Sequence, residues 1–216
     1  MYFAEHQCLF FHIGKTAGTS IEQWLHPVPM DQVKLDRERL YGFDSGHCVY
    51  LQHATPALLR ELLGEDLFEL CYRFTVVRNP FARMLSVYYF HLQDHQRDFG
   101  SFEQYLRALP AHFREPTIEN GRLHLPQTHY TQIDGQPCCH AVIRFEDLPG
   151  SLKPVAERLG ITRPLPFVNT YRNPARGYRP VSSFYTPETT RLLLDVFAED
   201  FETFGYSTDP ETANES

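Results

Sequence analysis

The sequence predicts an α/β fold, a central and mainly parallel sheet flanked by helices, and three observations predict it. The apolar run at 8–13 reads as a buried strand, and the β-rich run at 72–77 and the segment 140–145 read as two more. Each run is followed by a segment whose apolar residues recur at helical spacing, the alternation that builds parallel sheets. The 216 residues, 42% hydrophobic and 14% aromatic, suffice for one such core and are too few for two large ones. One domain is expected over 1–206, with a frayed polar tail at 207–216.

The first run ends in Gly14-Lys15-Thr16-Ala17-Gly18-Thr19-Ser20, after which Ile21, Trp24 and Leu25 mark a helix. Between Pro27 and Tyr50 prolines and glycines interrupt any long element, which suits a substrate-facing insertion. A helix is expected from Pro56 to Gly64, with Thr55 as its N-cap. The second run leads through Arg78-Asn79-Pro80 into a helix on which Phe81, Met84, Leu85, Tyr88, Tyr89 and Leu92 form a wide apolar stripe. Residues 102–109 read as helical, and 110–127 carry no clear pattern. The third run precedes a helix over 152–159 closed by Gly160. A polar loop rich in arginine and proline spans 162–185, and one last helix begins at Thr186-Pro187 and carries Leu192, Leu193, Val196, Phe197 and Phe201 on one side. In such sheets ligands bind beyond the carboxyl ends of the strands, where both the 14–20 loop and Arg78 are expected.

Composition narrows the functions. Lys and Arg total 20 against 27 Asp and Glu, a net charge of −7, so a broad footprint for nucleic acid or an anionic membrane is not expected. An anion needs a local site here. Neither a membrane span nor a signal peptide is legible, and the expected setting is the cytoplasm. The five cysteines are odd in number and lack a paired C-x-x-C spacing, which predicts reduced thiols and no metal.

The first loop has the parts of an anion cradle: backbone N–H groups, a helix terminus and the charge of Lys15. Gly14-Lys15-Thr16 invites comparison with the NTPase phosphate loop, but that motif requires glycine at position 9, where Leu9 stands. No acid in 72–78 is available to hold magnesium either. The bland alternative is a plain strand-to-helix turn with an incidental lysine, although Lys15 is one of only three in the chain.

The run from Phe11 to Ser20 resembles the 5′-phosphosulfate loop of sulfotransferases that use 3′-phosphoadenosine 5′-phosphosulfate (PAPS), most closely the branch of heparan sulfate 2-O-sulfotransferases and their bacterial relatives. Thr75 to Tyr89 resembles the 3′-phosphate motif of the same family, and Arg144 to Leu148 and Asp200 to Tyr206 are similar to its later signatures. The resemblance spans nearly the whole chain. It implies a P-loop-like three-layer fold, PAPS as co-substrate with PAP as product, and transfer to a hydroxyl, on a saccharide or glycoconjugate. Lys15 then meets the bridging oxygen and leaving phosphate, with Thr16, Ala17, Gly18, Thr19 and Ser20 as the cradle. Arg78 and Ser86 take the 3′-phosphate, and Arg176 and Arg179 close over the nucleotide. Relatives commonly have glycine where Ala17 stands, and an alanine resists the left-handed backbone. Eukaryotic relatives usually carry a Golgi anchor, which is not seen here and implies a bacterial-type enzyme.

An attacking hydroxyl needs a base, and the two candidates are His53, just before the capped helix, and His47, in a Gly-His segment. His53 is preferred, because the sequence after it runs into the next motif. His12, in the first strand, reads as a core residue. Two alternatives stand beside a sulfotransferase: a nucleotide kinase-like phosphotransferase, and a catalytically silent PAP-binding module.

Overall fold

The computed structural model describes residues 1–28, 34–94, 99–114, 121–168 and 179–213. The chain begins with the two-residue strand β1 (Tyr2–Phe3) and continues into β2 (Cys8–Phe11) and α1 (Gly18–Leu25). A two-strand hairpin, β3 (Phe43–Asp44) with β4 (Val49–Tyr50), leads to a 3-10 turn at Leu51–His53 and the helices α2 (Pro56–Leu63) and α3 (Glu65–Leu70). Strand β5 (Tyr72–Val77) precedes α4 (Pro80–Asp94), α5 (Phe102–Arg114) and α6 (Gly121–His124). A second small hairpin, β6 (Gln132–Ile133) with β7 (Gln136–Pro137), comes before β8 (Ala141–Arg144) and α7 (Lys153–Leu159). The described chain closes with α8 (Pro187–Val196) and α9 (Ala198–Phe204).

These elements cluster into two compact units, one from 1–77 with 129–169 and the other from 78–128 with 170–216. The first unit holds the sheet, in the order β1-β2-β5-β8, with β2, β5 and β8 parallel and only β1 antiparallel. Alternation along the strands puts Cys8, Phe10, Phe74, Val76 and Ile143 on one face, where they pack against Ile21, Trp24 and Leu25 of α1 and Val155 and Leu159 of α7. Each such apolar side chain contributes roughly 1.5–3 kcal/mol by leaving water. On the opposite face Phe11 stacks on Phe68 of α3, and the buried Arg73 donates to the Phe68 carbonyl at 2.6 Å. Arg163 ties down the carboxyl end of α1 by donating to the carbonyls of Trp24 and Leu25 at 2.6 and 2.7 Å.

In the second unit Phe81, Met84, Leu85 and Tyr88 of the α4 stripe are buried: Phe81 packs edge-on against Tyr185 and beside Phe201, and the Tyr185 hydroxyl donates to the Phe81 carbonyl at 2.8 Å. Helix α5 runs through Pro110 rather than stopping at 109. The final helical stretch is two helices, broken at Phe197, which sits at φ −114° and ψ 28° outside helical geometry. Thr55 occupies the N-cap of α2 but makes no cap hydrogen bond with its side chain. Where a frayed tail is expected, the described part forms a 3-10 turn at Pro210–Thr212, capped by Asp209, with Ala213 buried.

Candidate active site

The turn from His12 to Ala17 joins β2 to α1. Lys15 and Ala17 both take left-handed backbone conformations, φ 69° and 66°. Alanine therefore adopts the geometry its side chain resists, at a cost of roughly 1–2 kcal/mol. Ala17 is the N-cap of α1: its carbonyl accepts the first helical bond, from the Ile21 N–H at 3.1 Å, and its methyl caps nothing. The first turn of α1 consequently directs N–H groups and the positive end of the peptide dipoles past Ala17, beside the half-buried Lys15. Thr16 is buried and its hydroxyl donates to the Ile13 carbonyl at 2.8 Å, while the Ser20 hydroxyl oxygen accepts from the Val168 N–H at 3.1 Å. These two hydroxyls hold the turn, so what Thr16 and Ser20 offer an anion is their backbone N–H.

His12 lies beneath this turn. It is buried, as a core residue is, but it is not idle: its Nδ1 is 2.6 Å from the carboxylate of the buried Glu22 on α1. Its Nε2 edge lies against Gly18, where an added Cβ would come within 1.8 Å of it. Gly18 is required by this close approach rather than by its backbone angles. Gly18→Ala should therefore overpack the site by about 1–3 kcal/mol, lowering Tm by roughly 2–12 °C in a chain of this size. An unchanged melting temperature would show that the ring yields freely.

His53 reaches the same turn. Its Nδ1 is 3.1 Å from the His12 carbonyl oxygen, and its ring centroid is 4.4 Å from that of His12. A carbonyl only accepts, so Nδ1 carries the proton and the neutral ring keeps its lone pair on Nε2, the arrangement a general base needs. The Tyr130 hydroxyl donates to the His53 carbonyl at 3.3 Å and fixes the backbone there. His47 instead sits in the exposed β3–β4 turn, its Nδ1 2.9 Å from the Asp44 carboxylate. That hydrogen bond is the main reason the Asp44 carboxyl is held below its ordinary range.

In the second unit Asn79 caps α4 by accepting from the Phe81 N–H at 2.9 Å, and Ser86 lies seven residues further along the same helix face. The Arg78 backbone is gripped by one side chain: its N–H donates to Gln127 Oε1 at 2.8 Å and its carbonyl accepts from Gln127 Nε2 at 2.9 Å. The buried Asp200 in turn accepts from the Gln127 and Thr128 N–H groups at 2.9 and 3.0 Å. Burial pushes the Asp200 carboxyl up, opposed by the charge of Arg83 and by these hydrogen bonds. Arg83, itself fully buried, donates to the carbonyls of Leu123 and Leu125 at 2.9 and 3.0 Å. Arg179 is engaged within its own loop, its guanidinium 4.4 Å above the Phe184 ring and donating to the Ser183 carbonyl at 2.9 Å. Arg176 lies outside the described residues. Glu22, Gln127 and the active placement of His12 were not singled out by the sequence; for Glu22 the available signal was its spacing on the helix that opens the cradle.

A mainly parallel sheet in which strand β2 leads into a lysine-bearing turn and a helix start with no side-chain cap defines an α/β protein suited to receiving an anionic group. Residues 1–207 match the sulfotransferase family, and the chain belongs to that family of sulfuryl-transferring enzymes. No curated protein and no solved structure matches the chain. Among the described residues no group of three or more His, Cys, Asp or Glu is placed to hold a metal ion, and no helix is long and apolar enough to cross a membrane.

Proposed function

We propose that the chain is a PAPS-dependent sulfotransferase with a P-loop-like cradle, acting on a hydroxyl of a saccharide or glycoconjugate with His53 as general base. The observation that carries this reading is the bond from His53 Nδ1–H to the His12 carbonyl, which sets a base-competent tautomer at the turn that bears Lys15. PAPS supplies the sulfuryl group and departs as PAP. The site chemistry fits such a ligand: Lys15 and the amides of Thr16, Ala17, Gly18, Thr19 and Ser20 can neutralise charge growing on the leaving oxygen, and a transferred sulfonate carries less charge than a terminal phosphate. Arg78 offers a guanidinium fork, and Ser86 a hydroxyl, for the 3′-phosphate. His53 takes the acceptor proton at Nε2, with the Glu22–His12 pair holding the turn behind it. His47 is the alternative base, and Arg176 and Arg179 are the proposed clamps over the nucleotide.

Thermal shift tests the reading. PAP at 100 times its dissociation constant should stabilise the fold by about 2.7 kcal/mol, a rise of roughly 5–11 °C, because Arg78 and Ser86 are matched to a 3′-phosphate that ATP lacks. An equal shift from ATP with magnesium would overturn it in favour of a kinase-like phosphotransferase.

A further inference from the structure

Cys138 and Cys139 lie between β7 and β8 of the first unit, both free and both partly exposed. The segment is fixed on either side: the Cys138 N–H donates to the Thr131 carbonyl at 2.9 Å, and the Cys138 carbonyl accepts from Arg73 Nε at 2.8 Å. The Cys139 thiol donates to the Tyr130 carbonyl at 3.5 Å, and Tyr130, buried, donates through its hydroxyl to the His53 carbonyl at 3.3 Å. A chain of two hydrogen bonds therefore links the cysteine pair to His53. The other cysteines differ: Cys8 and Cys71 are buried, with burial pushing the Cys8 thiol up to about 12, and the exposed Cys48 donates its thiol to the Ser45 carbonyl.

We propose that Cys138–Cys139 is a modification site for hydroperoxides, oxidised to a disulfide between neighbours, and that the change is transmitted through Tyr130 to His53. The transmission rests on the reading of His53 as base; the modification site does not. Cys138 is the attacking sulfur. The Cys139 thiol is committed to the Tyr130 carbonyl, and the cationic Arg73, whose Nε donates to the Cys138 carbonyl, stands beside Cys138, so the pair gives up its first proton at Cys138. The Cys138 thiolate attacks one peroxide oxygen; an S–O bond forms, the O–O bond breaks, and the leaving hydroxide takes a proton to become water. Cys139 sulfur then attacks the sulfenic sulfur; the S–S bond forms, the S–O bond breaks, and hydroxide leaves with the Cys139 proton as a second water. Two thiols have given two electrons to one peroxide. Neighbouring Cα atoms are about 3.8 Å apart, closer than the usual range of about 4.4–6.8 Å for a disulfide, so the bond is strained and readily reduced by dithiols. Oxidation also removes the Cys139 S–H that the Tyr130 carbonyl accepts from.

Stoichiometric hydrogen peroxide added to the full chain tests this by peptide mass mapping and histidine ring NMR. The expected result is loss of two hydrogens from the peptide holding Cys138 and Cys139, at least about tenfold faster than any oxidation of Cys48 and reversed by dithiothreitol. Cys139→Ser, which keeps a donor for Tyr130, should stop at a Cys138 sulfenic acid trapped by dimedone, and Cys138→Ser should abolish the fast reaction. The His53 ring resonances should shift on oxidation while those of His47 stay. Oxidation first at Cys48, or none at the pair, overturns the site; an oxidised pair with unmoved His53 resonances overturns the transmission. A missing thermal shift with PAP would sink the sulfotransferase reading and leave the thiol result standing.

Discussion

Lys15→Ala is expected to lower turnover about 100- to 1000-fold, the usual loss when one preorganised charge donor is taken from a developing anion. The side chain is half-buried and lies outside the core cluster of the sheet, so the variant should melt close to the wild type. Both residues are L-amino acids at a φ of 69°, and the substitution adds little backbone cost. Lys15→Arg is the informative companion, since a planar fork does not replace a compact ammonium in a tight turn. PAP release measures all three proteins. A Lys15→Ala enzyme keeping more than about a third of wild-type turnover would make Lys15 incidental to the 100-fold effects expected of such groups.

His53→Ala should cost roughly 100-fold or more in turnover with PAP affinity nearly unchanged, the signature of a lost general base. The alanine also deletes the bond to the His12 carbonyl, so a drop could come from a loosened turn. His53→Asn separates the two: its amide can donate to that carbonyl and cannot serve as a base. An asparagine variant as slow as alanine, yet as stable as the wild type, supports the base. His47→Ala, in the exposed hairpin, is expected to stay active. If instead His47→Ala is dead and His53→Ala is active, the assignment of the base fails and the enzyme class survives.

The parts of the fold that were legible in the sequence are those set by local physics. Strand 72–77 is found as read, because its β-rich run is long enough to show and Asn79-Pro80 punctuates it; Gly160 ends α7 in the left-handed conformation expected of it. Strands β3, β4, β6 and β7 have two residues each, too few for any period to appear, and β1 is defined only by its pairing with β2. The single last helix was misread because Phe197 is apolar and in phase with its neighbours, although its backbone leaves helical geometry. The same divide runs through the site. Lys15 and the cradle are contiguous and could be read, whereas the role of Gly18 depends on a ring folded over it from β2's end, and Gln127 meets partners 49 and 73 residues away.

That last arrangement has a consequence for how the protein is made. Arg78 is held by Gln127, 49 residues later in the chain, and Gln127 is held by Asp200, a further 73 residues on. Synthesis runs from the amino terminus at about 5–20 residues per second, so Arg78 leaves the peptidyl transferase centre roughly 6–24 s before the carboxylate that completes its support exists. The cradle loop and its helix, by contrast, are translated within seconds of one another. The cradle loop and Arg78 thus mature on different clocks, the arginine waiting for Gln127 and then for Asp200.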